Sequence, residues 1–397
     1  MTNQQPDNLD FNLGVINQSS LRKVIRTITL SQGAFSLILL RCNYTFFQQQ
    51  IFNKLQEIET VKIKRIYFPP NVTTLYANIA TQLGDEWKNE KAAALMVFGL
   101  ESVQNIDKVL TSANQAREEL RNNFNFPIFF WVNDPILRKI IRLAPDFKNW
   151  ATTIEFKPPS SQLLDFIQQE TDKIFAGDIT NILFAYLCQE LAIAKQDLQQ
   201  RGEVLNPSIN ASLEYVFGYR DYLDDNLDSA LEHYQQSLKF WQESNNLDRQ
   251  GTLLVNLGLI YYRKASINQV DNKNLWEQAR NYFQQSLEIF KQIQRTDLLS
   301  RSLTLLCQVY LKLQTWDELE QLVDQSLKIH QQNNNYQLFW AKDYGFLAEL
   351  ALYKANLIEA KNQAETALEI LENIKQSNTV DIFTNEQVYY QFLLGKS

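Results

Sequence analysis

The chain has 397 residues, 45% of them hydrophobic, and a formal net charge of −7. That length exceeds one ordinary core and implies two or three structural units, while the apolar content excludes wholesale disorder. Residues 1–160 hold 18 basic and 14 acidic side chains, a surplus of +4, which leaves −11 on residues 161–397. A basic front and an acidic rear complement each other or different partners, and solvated faces are the plainer account.

Residues 1–18 are expected to be extended or disordered; the first ten are polar, with no basic start and no apolar core, unlike a signal peptide. No run approaches the roughly 20 apolar residues of a membrane helix. Cys42, Cys188 and Cys307 are too widely spaced for a disulfide framework or a zinc motif. A cytoplasmic chain with reduced, mostly buried thiols is expected.

Residues 19–158 read as an α/β domain. A helix over 20–30, with Ser19 as N-cap and Gly33 near its end, precedes strands at 35–40, 61–68, 92–98, 128–132 and 152–156. Helical patterns at 45–58, 73–83, 102–122 and 135–143 lie between the strands, an alternation that implies a parallel sheet covered on both faces. The run 92–98 has no polar alternation, as a central strand requires.

The order of these parts over residues 20–157 resembles a P-loop ATPase domain of the STAND or AAA-like kind that precedes repeat arrays in large signalling ATPases. Glu101 stands where a Walker B acid would sit, and Asn133 and Asp134 stand where a polar sensor would lie. The turn after the first strand, Arg41-Cys42-Asn43-Tyr44-Thr45-Phe46-Phe47, has no glycine to wrap phosphates and no Lys-Ser/Thr pair. The domain is therefore expected to be degenerate: no hydrolysis, no cofactor, a nucleotide-blind platform. Thr45 is placed to cap the following helix, whose N–H groups would hold an anion only weakly. The lone Gly395-Lys396-Ser397 lacks a preceding strand and is a coincidence.

Pro158 and Pro159 mark a boundary. Residues 159–208 read as a helical adaptor, with helices at 161–175 and 178–200. Its apolar stretch 183–194 is expected to dock the rear of the chain onto the front, with no chemistry of its own.

Residues 209–397 carry a repeated spacing. An apolar-small pair recurs as Phe217-Gly218, Leu257-Gly258, Leu306-Cys307, Leu347-Ala348 and Leu394-Gly395. Ala230, Leu319 and Ala360 follow twelve residues after the small member of the first, third and fourth pairs. Bulky Tyr234 and Val323 come four residues later, and small Ser237, Ser326 and Ala367 three beyond that position. The second copy has Ala279, Phe283 and Ser286, with nine residues inserted between its helices. The pattern resembles the tetratricopeptide repeat, paired antiparallel helices that stack into an α-solenoid. Spacings of 40, 49, 41 and 47 residues exceed the common repeat of about 34 and resemble the subclass of about 40 found in peptide-holding adaptors.

The resemblance implies a non-catalytic scaffold whose first helices line a groove for a protein or peptide partner. Candidate groove residues are Tyr215, Tyr219 and Tyr222; then Asn256, Leu259, Tyr262 and Arg263; then Arg301, Thr304, Gln308 and Lys312. Asn256, just before Leu257-Gly258, matches the asparagine that meets the bound peptide's backbone in that subclass. The other copies have Val216, Leu305, Phe346 and Leu393 there, so no asparagine ladder exists. The plainer account of the tyrosine stripe is packing against the adaptor or a neighbouring repeat. The segment 386–394 reads as one helix of an unfinished repeat. Its apolar face is a cap, a site of self-association, or the start of a continuation, and continuation is the expectation.

Two histidines, His233 and His330, are too few and too far apart for a triad or a histidine metal cluster. A basic patch from Lys62, Lys64, Arg65, Arg138, Lys139 and Arg142 is the only nucleic-acid signal, and the net acidity disfavours it. The alternative from another class is a nucleotide- or nucleic-acid-responsive signalling regulator that uses Glu101, Asn133 and Asp134.

Overall fold

The computed structural model describes residues 14–31, 33–58, 63–84, 94–115, 117–177, 181–267, 272–332, 336–377, 389–391, 393 and 395. Its chain divides into two compact units. One comprises 1–166 with 189–203, the other 167–188 with 204–397, so the division passes through both adaptor helices.

In the first unit, α1 (Gly14–Leu30) leads into β1 (Ser36–Arg41), α2 (Thr45–Gln56), β2 (Ile63–Tyr67), α3 (Leu75–Leu83) and β3 (Ala94–Phe98). Then come α4 (Ile106–Gln115), α5 (Arg117–Asn123), β4 (Pro127–Val132), α6 (Asp134–Leu143), α7 (Pro145–Trp150) and β5 (Ala151–Glu155). The five strands form one sheet in the order β2-β3-β4-β1-β5, and every pairing is parallel. Strands β3 and β4 are buried along their whole length, which explains their unbroken apolar sequence. Leu37, Leu39, Ile128 and Phe130 share one core with residues of α3 to α7. On the other face Phe52 of α2 meets Phe98 edge-on at 5.6 Å.

Some predicted boundaries move for local reasons. Helix α1 starts before Ser19, so Ser19 is no cap, and Ser20 instead donates to the Glu155 carbonyl at 2.6 Å. The predicted helix over 102–122 starts only at Ile106, because Val103 is extended and the Gln104 N–H bonds the Pro70 carbonyl at 2.9 Å. Helix α7, missed in sequence, restarts at Pro145, whose fixed φ suits a first turn. The expectations for residues 1–13, for Lys62 and for the first residues of the strands at 61–68 and 92–98 lie outside the described residues.

Helices α8 (Ser160–Phe175) and α9 (Asn181–Gln200) follow, and the second unit continues as four antiparallel pairs. These are α10 (Pro207–Leu223) with α11 (Leu227–Glu243) and α12 (Leu247–Ile267) with α13 (Lys273–Gln292). The other two are α14 (Thr296–Leu313) with α15 (Trp316–His330) and α16 (Gln337–Tyr353) with α17 (Leu357–Ser377). The unit is a run of helix hairpins packed in chain order, the arrangement that the repeated spacing implies. A Cβ on Gly218 would sit 2.7 Å from the Tyr234 ring, and one on Gly258 would sit 2.5 Å from the Phe283 ring. Small residues on first helices therefore seat rings from second helices, as the spacing implies. Seven of the nine inserted residues of the second copy extend helices: α12 and α13 have 21 and 20 residues, against 17 each in α10 and α11.

Two described residues of the final segment pack on the fourth pair. Tyr390 and Leu393 are buried in one core with Ala341, Ala348 and Ala364, and a Cβ on Gly345 would lie 2.5 Å from Tyr390. Those two apolar residues thus pack within the chain, whereas Gly395 has nothing within 4 Å of a Cβ. Residues 386–388, 392 and 394 lie outside the described residues.

Tight turns between the helices place a non-glycine residue in the left-handed region at Asp225, Asn245, Gln294, Gln314 and Ala355. Alanine gains nothing there to offset its Cβ clash. Ala355→Gly is expected to raise stability by about 1 kcal/mol, read as a higher denaturation midpoint. An unchanged midpoint would mean that the turn carries no strain.

Candidate functional site

The second unit holds a cavity of about 570 Å³ on the first helices of its pairs. Tyr215 and Tyr219 of α10, Arg249, Thr252 and Asn256 of α12, and Arg301 of α14 line it. Phe175 and Asp172 from the end of α8 complete that wall. The i, i+3, i+7 spacing of Arg249, Thr252 and Asn256 puts all three on one stripe of α12.

Phe175 is the centre of the arrangement. Tyr215 stacks on it at 3.6 Å and 12°, and the Arg249 guanidinium carbon lies 3.6 Å from the same ring centroid, so the ring is held between them. Burial pushes the Tyr215 phenol up to about 12, and its hydrogen bond with Asn256 partly offsets that rise. Arg249 donates through Nη2 to Asp172, while its Nη1 is buried with no hydrogen-bond partner. A buried orphan donor is costly.

The other charges are mostly matched. Arg295 grips Asp297 through two bonds of 3.0 and 2.9 Å and reaches Asp248 at 2.6 Å. The guanidinium beside it holds the Asp297 carboxyl below the usual range. Arg301 is exposed and makes no ion pair among the described residues. The cavity therefore presents Arg301 as its exposed cation, together with the amide of Asn256.

Of the sequence-predicted groove residues, Tyr215, Tyr219, Asn256 and Arg301 come together here. Tyr222 and Arg263 are engaged with each other: Arg263 donates to the Tyr222 carbonyl at 2.9 Å and reaches Asp225 at 3.1 Å. Tyr262 packs edge-on against Trp276 at 4.9 Å, and Thr304 is buried, donating to the Ser300 carbonyl at 3.2 Å. Gln308 is half-buried and, like Leu259 and Lys312, off the cavity wall. Tyr222, Tyr262, Arg263 and Gln308 lie six or seven positions beyond Tyr215, Asn256 or Arg301, Lys312 lies eleven beyond Arg301, and Leu259 and Thr304 face the core. Seven residues advance a helix by about 10 Å, enough to pass the cavity's end. Sequence reasoning missed Arg249 and Thr252, whose stripe with Asn256 was a usable signal. It also missed Asp172 and Phe175, which carried none, because they belong to a helix to which no chemistry was assigned.

The first unit has its own constellation at the carboxyl ends of its strands. The chain leaves β1 towards β2 on one side and leaves β4 towards β5 on the other, so the crevice between β1 and β4 is the sheet's switch point. Arg41 there bonds Asp134 at 2.5 and 3.0 Å and Glu155 at 2.7 Å, which holds the Asp134 carboxyl down. Asn43 accepts the Asp134 N–H at 2.8 Å, and Asn133 caps α6 by accepting the Ile136 N–H at 2.9 Å. Glu101 follows β3; burial raises its carboxyl, and its Oε2 has no hydrogen-bond partner. Cys42, Cys188 and Cys307 are all buried and free. Among the described residues no cluster suits a metal ion, and no helix is long and apolar enough to cross a membrane.

No protein-family model matches the chain, and no curated protein matches it. Solved structures with a similar course include BtubC (BKLC) from P. vanneervenii, at 14% identity and TM-score 0.39, covering 55% of this chain and 93% of that one. Aspartyl phosphate phosphatase F from Bacillus subtilis is similar at 11% identity and TM-score 0.38, over 96% of this chain and 93% of that one. A signal transduction ATPase with numerous domains and a tetratricopeptide repeat sensor, from Pyrococcus horikoshii, is similar at 14% identity and TM-score 0.43. That match spans 75% of this chain and 42% of the ATPase.

Proposed function

We propose that the protein is a non-catalytic interaction scaffold whose helical array recruits a partner by holding an extended peptide segment in the cavity on α10, α12 and α14. The carrying observation is the exposed Arg301 and the Asn256 amide on one cavity wall, framed by the Phe175–Tyr215 stack. Asn256 would meet the segment's backbone, and Arg301 would meet its carboxylates. The front unit is a degenerate P-loop-like platform that does not read nucleotides. Its strand order and its Glu101 and Asn133–Asp134 placements support that kinship, while its glycine-free turn after β1 supports the loss of phosphate binding.

Random peptides selected on the purified chain test this reading. The selected pool is expected to be rich in Asp and Glu, and Arg301→Glu is expected to weaken its binding at least about 10-fold, the loss of one charge-assisted contact. Asn256→Ala should weaken peptides of every sequence alike, because it touches the backbone. Peptides that bind the Asn256→Ala, Arg301→Glu double variant as tightly as the parent would place recognition elsewhere.

A further inference from the structure

Helix α2 starts at the switch point of the sheet with no cap of its own. Its N-cap residue, Tyr44, makes no side-chain capping bond, and its first turn contains no acid. A bare helix start concentrates unsatisfied N–H groups and the positive end of the dipole. Here the first of those donors is nevertheless met. The Thr45 N–H donates to Glu190 Oε1 at 3.0 Å, and the Thr45 hydroxyl donates to the same oxygen. Glu190 lies 145 residues further along the chain, on α9, within the same compact unit.

Two neighbours of Thr45 reinforce the contact. The Tyr44 hydroxyl donates to Asp197 Oδ2 at 2.6 Å, about two turns further along α9 from Glu190. Phe46 stacks on Phe166 at 4.7 Å and 19°. Burial first, and Asp197 second, raise the Tyr44 phenol, so it stays a donor. The cation at the end of β1, Arg41, is already engaged by Asp134 and Glu155.

We propose that Glu190 is a built-in oxyanion: its carboxylate occupies the seat at the start of α2 that a phosphate-type anion would otherwise take, and holds this unit in a self-liganded state. The seat combines a backbone N–H, a hydroxyl and a helix dipole, which is phosphate-type recognition without glycines. The turn is thus closed to external anions because an internal one is already bound, in addition to lacking the residues that would wrap a polyphosphate. Peptide binding by the array is independent of this contact, so either proposal can fail without the other.

The experiment titrates inorganic phosphate, against chloride at matched ionic strength, into the full chain. Wild type is expected to show no phosphate-specific change in Tm. Glu190→Ala should melt roughly 2–4 °C lower and recover as phosphate binds, with Kd on the order of 1 mM for two charge-assisted hydrogen bonds. Adding Thr45→Pro to Glu190→Ala removes the N–H and the hydroxyl together, and proline is tolerated at a first helical position. Tyr44, at φ −127° and ψ 117°, already has the extended backbone that a following proline requires. That double variant should keep its helix content and lose the phosphate response. If Glu190→Ala does not fold, Glu190→Gln removes the charge while keeping the shape, with the same expected response in weaker form. A wild type that responds like the variant, a variant that does not respond, or a response that survives Thr45→Pro would each overturn the proposal.

Discussion

Phe283→Ala is expected to lower the stability of the helical array by about 3–5 kcal/mol, the range for truncating a buried aromatic. Phe283 is fully buried, and its ring occupies the space in front of Gly258. Gly258→Ala drives a methyl to 2.5 Å from that ring, and overpacking of this kind costs about 1–3 kcal/mol. The two losses should not add. Once the ring is gone, the new methyl enters the vacated volume, so the double variant should be more stable than the sum by roughly 0.5–3 kcal/mol. Urea unfolding of the four proteins in the cycle measures that coupling. A strictly additive result would mean that glycine and ring do not share the space, and the small-residue logic of the repeats would fall with it.

The second large effect is expected at His330 and Asp343. Both side chains are wholly buried, and His330 Nδ1 lies 2.6 Å from Asp343 Oδ2. Ser326 donates to the other carboxylate oxygen at 2.7 Å, and Phe339 lies over the imidazole at 5.4 Å. His330→Ala strands the carboxylate with a single hydroxyl partner. The expected loss is about 3–5 kcal/mol, as for other buried pairs broken on one side. Replacing both residues with apolar ones, His330→Leu with Asp343→Leu, should recover most of it, because no buried charge then lacks a partner. A single-variant loss below about 1 kcal/mol would show the pair to be loosely held.

The pair also has a pH signature. Burial raises the Asp343 carboxyl above its ordinary range, and the bonds from His330 and Ser326 only partly oppose it. A raised folded-state value favours the protonated form, so this contribution to stability is fully present below the unfolded value of about 3.9. It declines as pH rises through the raised one. Asp343→Asn cannot ionise and should remove that slope from the stability profile.

Much of the array was legible in the sequence because its packing is local and repeated. Gly218 with Tyr234 and Gly258 with Phe283 lie on adjacent helices of one pair, so a short spacing encodes each contact. The strand and helix alternation of the front unit was legible for the same reason, although an extended residue at Val103 delays the start of one predicted helix to Ile106. The groove was only half legible. Periodicity identifies a helix face, which selected Tyr215, Tyr219, Asn256 and Arg301, but it does not say where along that face the cavity ends. Tyr222, Tyr262 and Gln308 were chosen on the same evidence and lie beyond it.

Sequence by itself determined the two kinds of unit, the pairing of helices and the absence of a glycine-lined phosphate loop. These follow from residue spacing and from the backbone freedom of particular residues. Tertiary structure alone decided that Phe175 would be held between Tyr215 and Arg249, that His330 would find Asp343, and that Glu190 would fill the start of α2. Each of these joins side chains from elements with no shared period. Burial and hydrogen-bond satisfaction select such partners only after the helices have packed.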